Sequence, residues 1–139
     1  MKKLIVVALA VVALFASCSS DDSVKVTEEK LAKKWYYKSD QANGNTYPYE
    51  HMSCAKDYIQ FLADGSYLEY YITTCTPLNF GTSTGNWVLD GNTVTVSIDG
   101  DINSGKITSI SDTALQISVV YDYDGDGDEE TVKVNFTSN

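Results

Sequence analysis

From Trp35 to the C-terminus, apolar and polar residues alternate at every second position, and Gly, Asp or Asn breaks the pattern at short intervals. That period places one set of side chains on each face of an extended strand, whereas a helix repeats every ~3.6 residues. The chain is thereby restricted to strands joined by tight turns, with one dry face. Residues 35–38, 57–62, 66–75, 86–89, 93–98, 106–110, 114–121 and 131–136 read as strands. Only "TEEKLAKK" reads as helix, one or two turns with Thr27 as N-cap and Glu28 and Glu29 in the first turn. The expected fold is all-β: a single antiparallel up-and-down barrel of about eight short strands with a short N-terminal helix.

Turn chemistry assigns registers. With Asp64 and Gly65 as the two central residues of a type I′ turn, "DYIQFLADGSYLEYYITTC" pairs Phe61 with Leu68 and Ile59 with Tyr70, and sets Cys54 opposite Cys75. A turn at Asp90 and Gly91 pairs Trp87 with Val94. The acidic loop "YDYDGDGDEE" sets Leu115, Ile117, Val119 and Tyr121 against Val132, Val134 and Phe136, leaving Gln116, Ser118, Lys133 and Asn135 outward.

The N-terminus carries a different message. "MKKLIVVALAVVALFASCSS" has two lysines, an apolar run from Leu4 to Ala16 and then small residues. A run of 13 residues is shorter than the roughly 20 a membrane-spanning helix needs, so it reads as a secretory signal. Phe15, Ala16, Ser17 and Cys18 resemble a bacterial lipobox, in which the Cys carries the lipid. The expected division is a lipoprotein signal peptide at 1–17, a lipidated Cys18 with a polar tether at 18–26, and the barrel at 27–139.

Removing the signal takes Lys2 and Lys3 from the ten basic residues and leaves eight lysines against 19 acids, a formal charge of −11. All ten basic residues are lysine. Such a surface excludes nucleic acid, which demands a basic face. Three cysteines become one anchor and one pair, so Cys54 and Cys75 are expected to bridge in an oxidising compartment.

The helix running into "LAKKWYY", then "CAKDYIQFLADGSY", Cys75, "TGNWVLDGNTVTV" and "KITSISDTALQIS", resembles the small lipocalin-like domain lipoproteins of Bacteroidetes. The resemblance covers about Glu28 to Phe136. It implies an exported, lipid-anchored antiparallel barrel at the outer membrane, on its periplasmic or cell-surface face. Two features of true lipocalins are missing: Lys33 stands where a Gly precedes the first-strand Trp, and no Arg packs over that Trp.

Three sites follow, each with a plainer alternative. A pocket for a small apolar ligand would be lined by Tyr70, Ile72, Trp87 and Tyr121; the alternative is an interior filled by Trp87, Phe61, Phe136, Ile59 and Leu115. Tyr58, Tyr67 and Tyr71 share the other side of their hairpin and form an interaction face for glycan or protein, unless the helix or a loop covers them. Asp122, Asp124, Asp126, Asp128 and Glu130 form a half-motif for structural calcium, with an exposed acidic turn as the alternative. An EF-hand is excluded, because Lys133 stands at its twelfth position and strands flank the loop. With one His, no Arg and no free cysteine once Cys18 is the anchor and Cys54 and Cys75 bridge, the chain is read as a non-catalytic binding module.

Overall fold

The computed structural model describes residues 24–139, so the signal peptide, Cys18 and most of the tether lie outside the described residues. One helix, α1 (Glu28–Leu31), precedes nine strands: β1 (Lys34–Ala42), β2 (Asn45–Pro48), β3 (Tyr58–Phe61), β4 (Ser66–Cys75), β5 (Leu78–Asp90), β6 (Thr93–Ile98), β7 (Asp101–Ile110), β8 (Ala114–Tyr121) and β9 (Glu130–Thr137). Every neighbouring pair is antiparallel, and β1 closes the sheet onto β9. Eight strands therefore make a closed barrel, and β2 pairs with β1 alone.

The expected barrel of eight strands is present, and β2 is a strand added outside it whose cause is legible. Asn43 and Gly44 both take positive φ between paired Ala42 and Asn45. That is the type I′ turn an Asn-Gly pair favours. Asp99 and Gly100 do the same between Ile98 and Asp101, which carries β7 back to residue 101. β5 likewise begins at Leu78 rather than residue 86, giving β4 and β5 one long hairpin.

Two registers also change. Phe61 pairs with Tyr67 and Ile59 with Glu69, one residue away from the expected pairing. Leu62 and Ser66 flank a three-residue loop in which Gly65 has φ 83°, and Asp64 accepts hydrogen bonds from the Ser66 amide and hydroxyl. Asp-Gly thus serves a bulged three-residue loop here, not a two-residue one. The same bonds hold the exposed Asp64 carboxyl below its ordinary pKa. A shift of one exchanges the faces of β4: Tyr67 becomes a core residue and Tyr70 leaves the interior. At the next hairpin Gly91 and Asn92 are the central residues and Trp87 pairs with Val96. That shift is two residues, so Trp87 stays inside. The β8–β9 register is the expected one, from Leu115 with Phe136 to Val119 with Val132.

The meander gives the barrel two unlike ends. The helix end carries α1 and the β3–β4, β5–β6 and β7–β8 turns; the loop end carries the β1–β2, β4–β5, β6–β7 and β8–β9 connections. Thr27 caps α1, its Oγ1 accepting from the Lys30 amide, and Leu31 is fully buried against Trp35. The Trp35 indole donates to the Leu31 carbonyl at 2.9 Å, and the Trp87 indole donates to the Leu62 carbonyl at 2.9 Å. Phe61 sits edge-on to Trp87 at 5.3 Å. Each indole is therefore both packed and hydrogen-bonded, as a filled core requires. Lys33 lies with its ammonium 5.3 Å from the Trp35 ring. The cation missing as Arg is supplied from the position where the Gly would stand.

Candidate functional site

The barrel is not filled along its length. A cavity of about 190 Å³ lies between β3, β4, β6, β7 and β8. Its walls are Ile59 and Phe61, Tyr67 and Glu69, Val94, Val96 and Ile98, Asn103 to Gly105, and Ile117 with Val119. Apart from Ser104, whose hydroxyl bonds Thr95 on the outer face, these alternate along their strands as inward positions at a period of two do. Gly105 packs tightly against Ile117 and Val119: a Cβ at that glycine would stand 2.4 Å from an Ile117 methyl, so this part of the wall has no room for a side chain. Other hollows are larger, such as one of about 480 Å³ lined by Lys25, Thr27, Glu29, Lys30, Lys33 and Asp112, but this lining is polar and charged.

One carboxylate faces this apolar space. Glu69 accepts a hydrogen bond from the Tyr37 hydroxyl at 2.8 Å through one oxygen. Every fully buried side-chain nitrogen or oxygen among the described residues has a partner, so the other Glu69 oxygen opens onto accessible space. No Lys, Arg or His is among the residues that line the cavity. Burial, then the Glu69 charge and hydrogen bond, push the Tyr37 phenol far above the ordinary tyrosine range. Burial and the same charge raise Tyr67.

Behind Tyr37 a polar bracket fixes the segment that enters β3. Tyr49 stacks on Tyr37 at 4.9 Å and donates through its hydroxyl to Asp57 Oδ2 at 2.6 Å. Asp57, a buried acid, accepts from the Ile72 amide at 2.8 Å through Oδ1. His51 Nδ1 accepts from the Asp57 amide at 3.1 Å, which can only donate, so Nε2 carries the proton and donates to the Tyr37 carbonyl at 2.8 Å. These partners satisfy each buried polar atom and leave no group facing the cavity, so the bracket is structural. Cys54 and Cys75 are bonded beside it, 21 residues apart in sequence. Cys54 lies in the loop before β3, outside the ladder, so the pair forms without the strand-to-strand alignment expected of it.

None of the four residues expected to line a pocket borders this cavity. Trp87 fills the helix end, Ile72 is buried outside the main core, and Tyr70 stands on the outer wall between Tyr58 and Phe80. Tyr121 is 41% exposed and lies beside Tyr123. The slipped hairpin register misplaced Tyr70, and Tyr121 pairs with Glu130 at the last rung of its hairpin. The expected tyrosine face is parted in the same way. Tyr67 is in the core, Tyr71 lies against Gly81 at 42% exposure, and Tyr58 joins an outer ladder of Tyr36, Tyr58, Tyr70 and Phe80. In that ladder the Tyr58 and Tyr70 rings stack at 5.0 Å, and the Lys34 ammonium sits 4.0 Å from the Tyr58 ring. The ring faces are spent on one another, which removes the open platform a sugar would stack on.

Of the five expected calcium ligands, three come together. Carboxylate oxygens of Asp122, Asp124 and Glu130 lie within 4.8 Å of one another, while Asp126 and Asp128 are not part of that group. The loop closes on its own amides: Asp122 accepts from Gly125 and Gly127, Asp124 from Asp126, Asp126 from Asp128, and Glu130 from Tyr123. The loop's acids are thus held by local turns, and those turns bring three of the five together.

An eight-stranded antiparallel barrel, plugged at one end by a short helix and a tryptophan, is the lipocalin-like architecture. The sequence matches the family described as "Lipocalin-like domain" over residues 16–117, and the chain belongs to that family. Its fold is similar to a lipocalin-like protein from Bacteroides uniformis ATCC 8492, at 17% identity and a TM-score of 0.58, covering 79% of this chain and 99% of that one. It is also similar to an uncharacterized protein from Bacteroides eggerthii DSM 20697, at 13% identity and a TM-score of 0.57, covering 78% of this chain and 99% of that one. Among curated proteins, none matches the sequence significantly.

Proposed function

We propose that this chain is an exported, lipid-anchored binding protein of the outer membrane that holds a small apolar molecule in the open half of its barrel, without catalysing a reaction on it. The observation that supports it is the cavity of about 190 Å³ walled by Ile, Val, Phe and Tyr side chains. Barrels of about eight strands have room for one small ligand, and an apolar cavity near ~150 Å³ accepts a molecule the size of benzene. Volume and lining favour an apolar ligand of about ten heavy atoms.

Anchoring would proceed through Cys18. Val24 to Thr27 lead into α1 at the helix end, so a tether from Cys18 arrives at the plugged end and leaves the cavity end facing away from the membrane. The core residues lie between Leu31 and Phe136, so a chain starting at Ser19 carries the whole barrel. Titrating that chain with indole in a calorimeter should give saturable one-to-one binding, abolished by Val96→Phe, which fills the space. Heat without saturation, or binding that Val96→Phe leaves intact, would refute the cavity reading. In cells, Cys18→Ser should release the protein from the membrane fraction; retention there would refute the anchor.

A further inference from the structure

We infer that the cavity selects a small primary or secondary amine, its apolar body against the valines and its ammonium on Glu69. This rests on the proposed binding role and adds the chemical class of the ligand. Three observations converge on it.

The first is the carboxylate. Glu69 stands on the wall of an otherwise apolar cavity, with one oxygen held by the Tyr37 hydroxyl and the other free toward accessible space. Glu69 is half-buried, and a ligand cation would pair with its charge while hydrogen-bonding the free oxygen. Tyr37 fixes the carboxylate in place, so little ordering is required on binding.

The second is what the wall lacks. Its remaining polar residues, Tyr67, Asn103 and Ser104, are neutral, and no lysine or histidine lines it. A fatty acid or other carboxylate ligand would bring a second negative charge close to Glu69 with nothing to compensate it. The lining therefore discriminates by repulsion as well as by attraction.

The third is the field at the mouth. The loop end carries Asp99 between β6 and β7 with Asp101 at the start of β7, and Asp122, Asp124, Asp126, Asp128 and Glu129 between β8 and β9 with Glu130 at the start of β9. Lys30, Lys33 and Lys34 belong to the opposite end. A rim of one sign concentrates ligands of the other and speeds their arrival.

The test compares three molecules of one shape on the chain from Ser19: 2-phenylethylamine, 2-phenylethanol and 3-phenylpropionate. The amine should bind at least tenfold more tightly than the alcohol, and the carboxylate more weakly than both. Glu69→Gln keeps an acceptor for the Tyr37 hydroxyl, and it should bring amine and alcohol to equal affinity while leaving the alcohol's own affinity unchanged. If the alcohol binds and the amine shows no preference, the cavity reading stands and the amine inference falls. If none of the three binds, both fall together. Should Glu69→Gln fail to fold, the ranking of the three molecules on the native chain decides the matter alone.

Discussion

The two ends of this barrel are built from the same eight strands and differ in almost everything else. At the helix end Leu31, Trp35, Phe61, Trp87, Leu115 and Phe136 exclude water, and both indoles are hydrogen-bonded. At the loop end valines, a glycine and one glutamate leave a hollow, and the connections are acidic. Strand pairing closes the barrel at both ends, so closure is a backbone property; whether the inside is solid is decided by side-chain size alone. The helix end holds the fold and frees the loop end to keep unfilled volume, which close packing would otherwise penalise.

The largest effect should come from breaking the solid end. Trp35→Ala removes a fully buried ring and is expected to cost about 3–5 kcal/mol. Val96→Ala at the hollow end should cost only about 1 kcal/mol, because that residue is half-buried and already borders empty space. Urea melts of the two variants measure the ratio. Equal losses would mean the hollow end is packed in solution. Next comes the bridge, which closes a span of 21 residues; Cys54→Ser should cost about 3 kcal/mol and lower the melting temperature by several degrees, with no further loss on adding reductant.

A titration distinguishes the ends without removing atoms. Tyr37 and Tyr67 both border the Glu69 side of the interior, and their folded pKa values lie above the ordinary 10.0. The unfolded chain therefore releases these protons first as pH rises. Their contribution to stability is complete below pH 10 and falls beyond it, by up to about 1.4 kcal/mol per pH unit for each group. The buried tryptophans of the helix end do not titrate, so alkali should loosen the barrel from the cavity side. Stability measured from pH 8 to 12 should bend downward near 10, and Tyr37→Phe should make the bend shallower. A straight profile would mean that both phenols reach water freely.

How much of this was legible in the sequence also divides along the barrel. Alternation gave the strands, and the hairpin of β8 and β9 could be paired residue by residue because its apolar positions match on both sides of one loop. The β3–β4 hairpin could not, since Asp-Gly fits both a two-residue turn and a bulged loop, and Asp64 settles the choice by bonding Ser66. That single step sent Tyr70 to the wrong wall and hid Glu69, whose inward position makes it the polar centre of the cavity. Asn43-Gly44 and Asp99-Gly100 were plain turn signals that would have extended β1 and β7 and revealed β2. The Cys54–Cys75 pairing followed from the count of cysteines, and it survives a register that differs from the one that first suggested it.

The smallest expected effect tests whether the acidic rim is held by its own amides or by an ion. Asp122, Asp124 and Glu130 already lie close enough to share one cation, and each also accepts a backbone hydrogen bond that keeps it in place. A hard cation would neutralise their mutual repulsion using oxygen lone pairs that those bonds leave unused. With millimolar affinity, ten millimolar calcium stabilises by about 1–2 kcal/mol, or a melting temperature a few degrees higher. Magnesium, which demands tighter octahedral geometry, should do less, and Asp124→Asn should abolish the difference between the two ions. Equal shifts with both would reduce the effect to charge screening. In that case the loop end owes its shape to the turns of Asp122, Asp124 and Asp126 alone, and its acids remain free to draw cations toward the cavity.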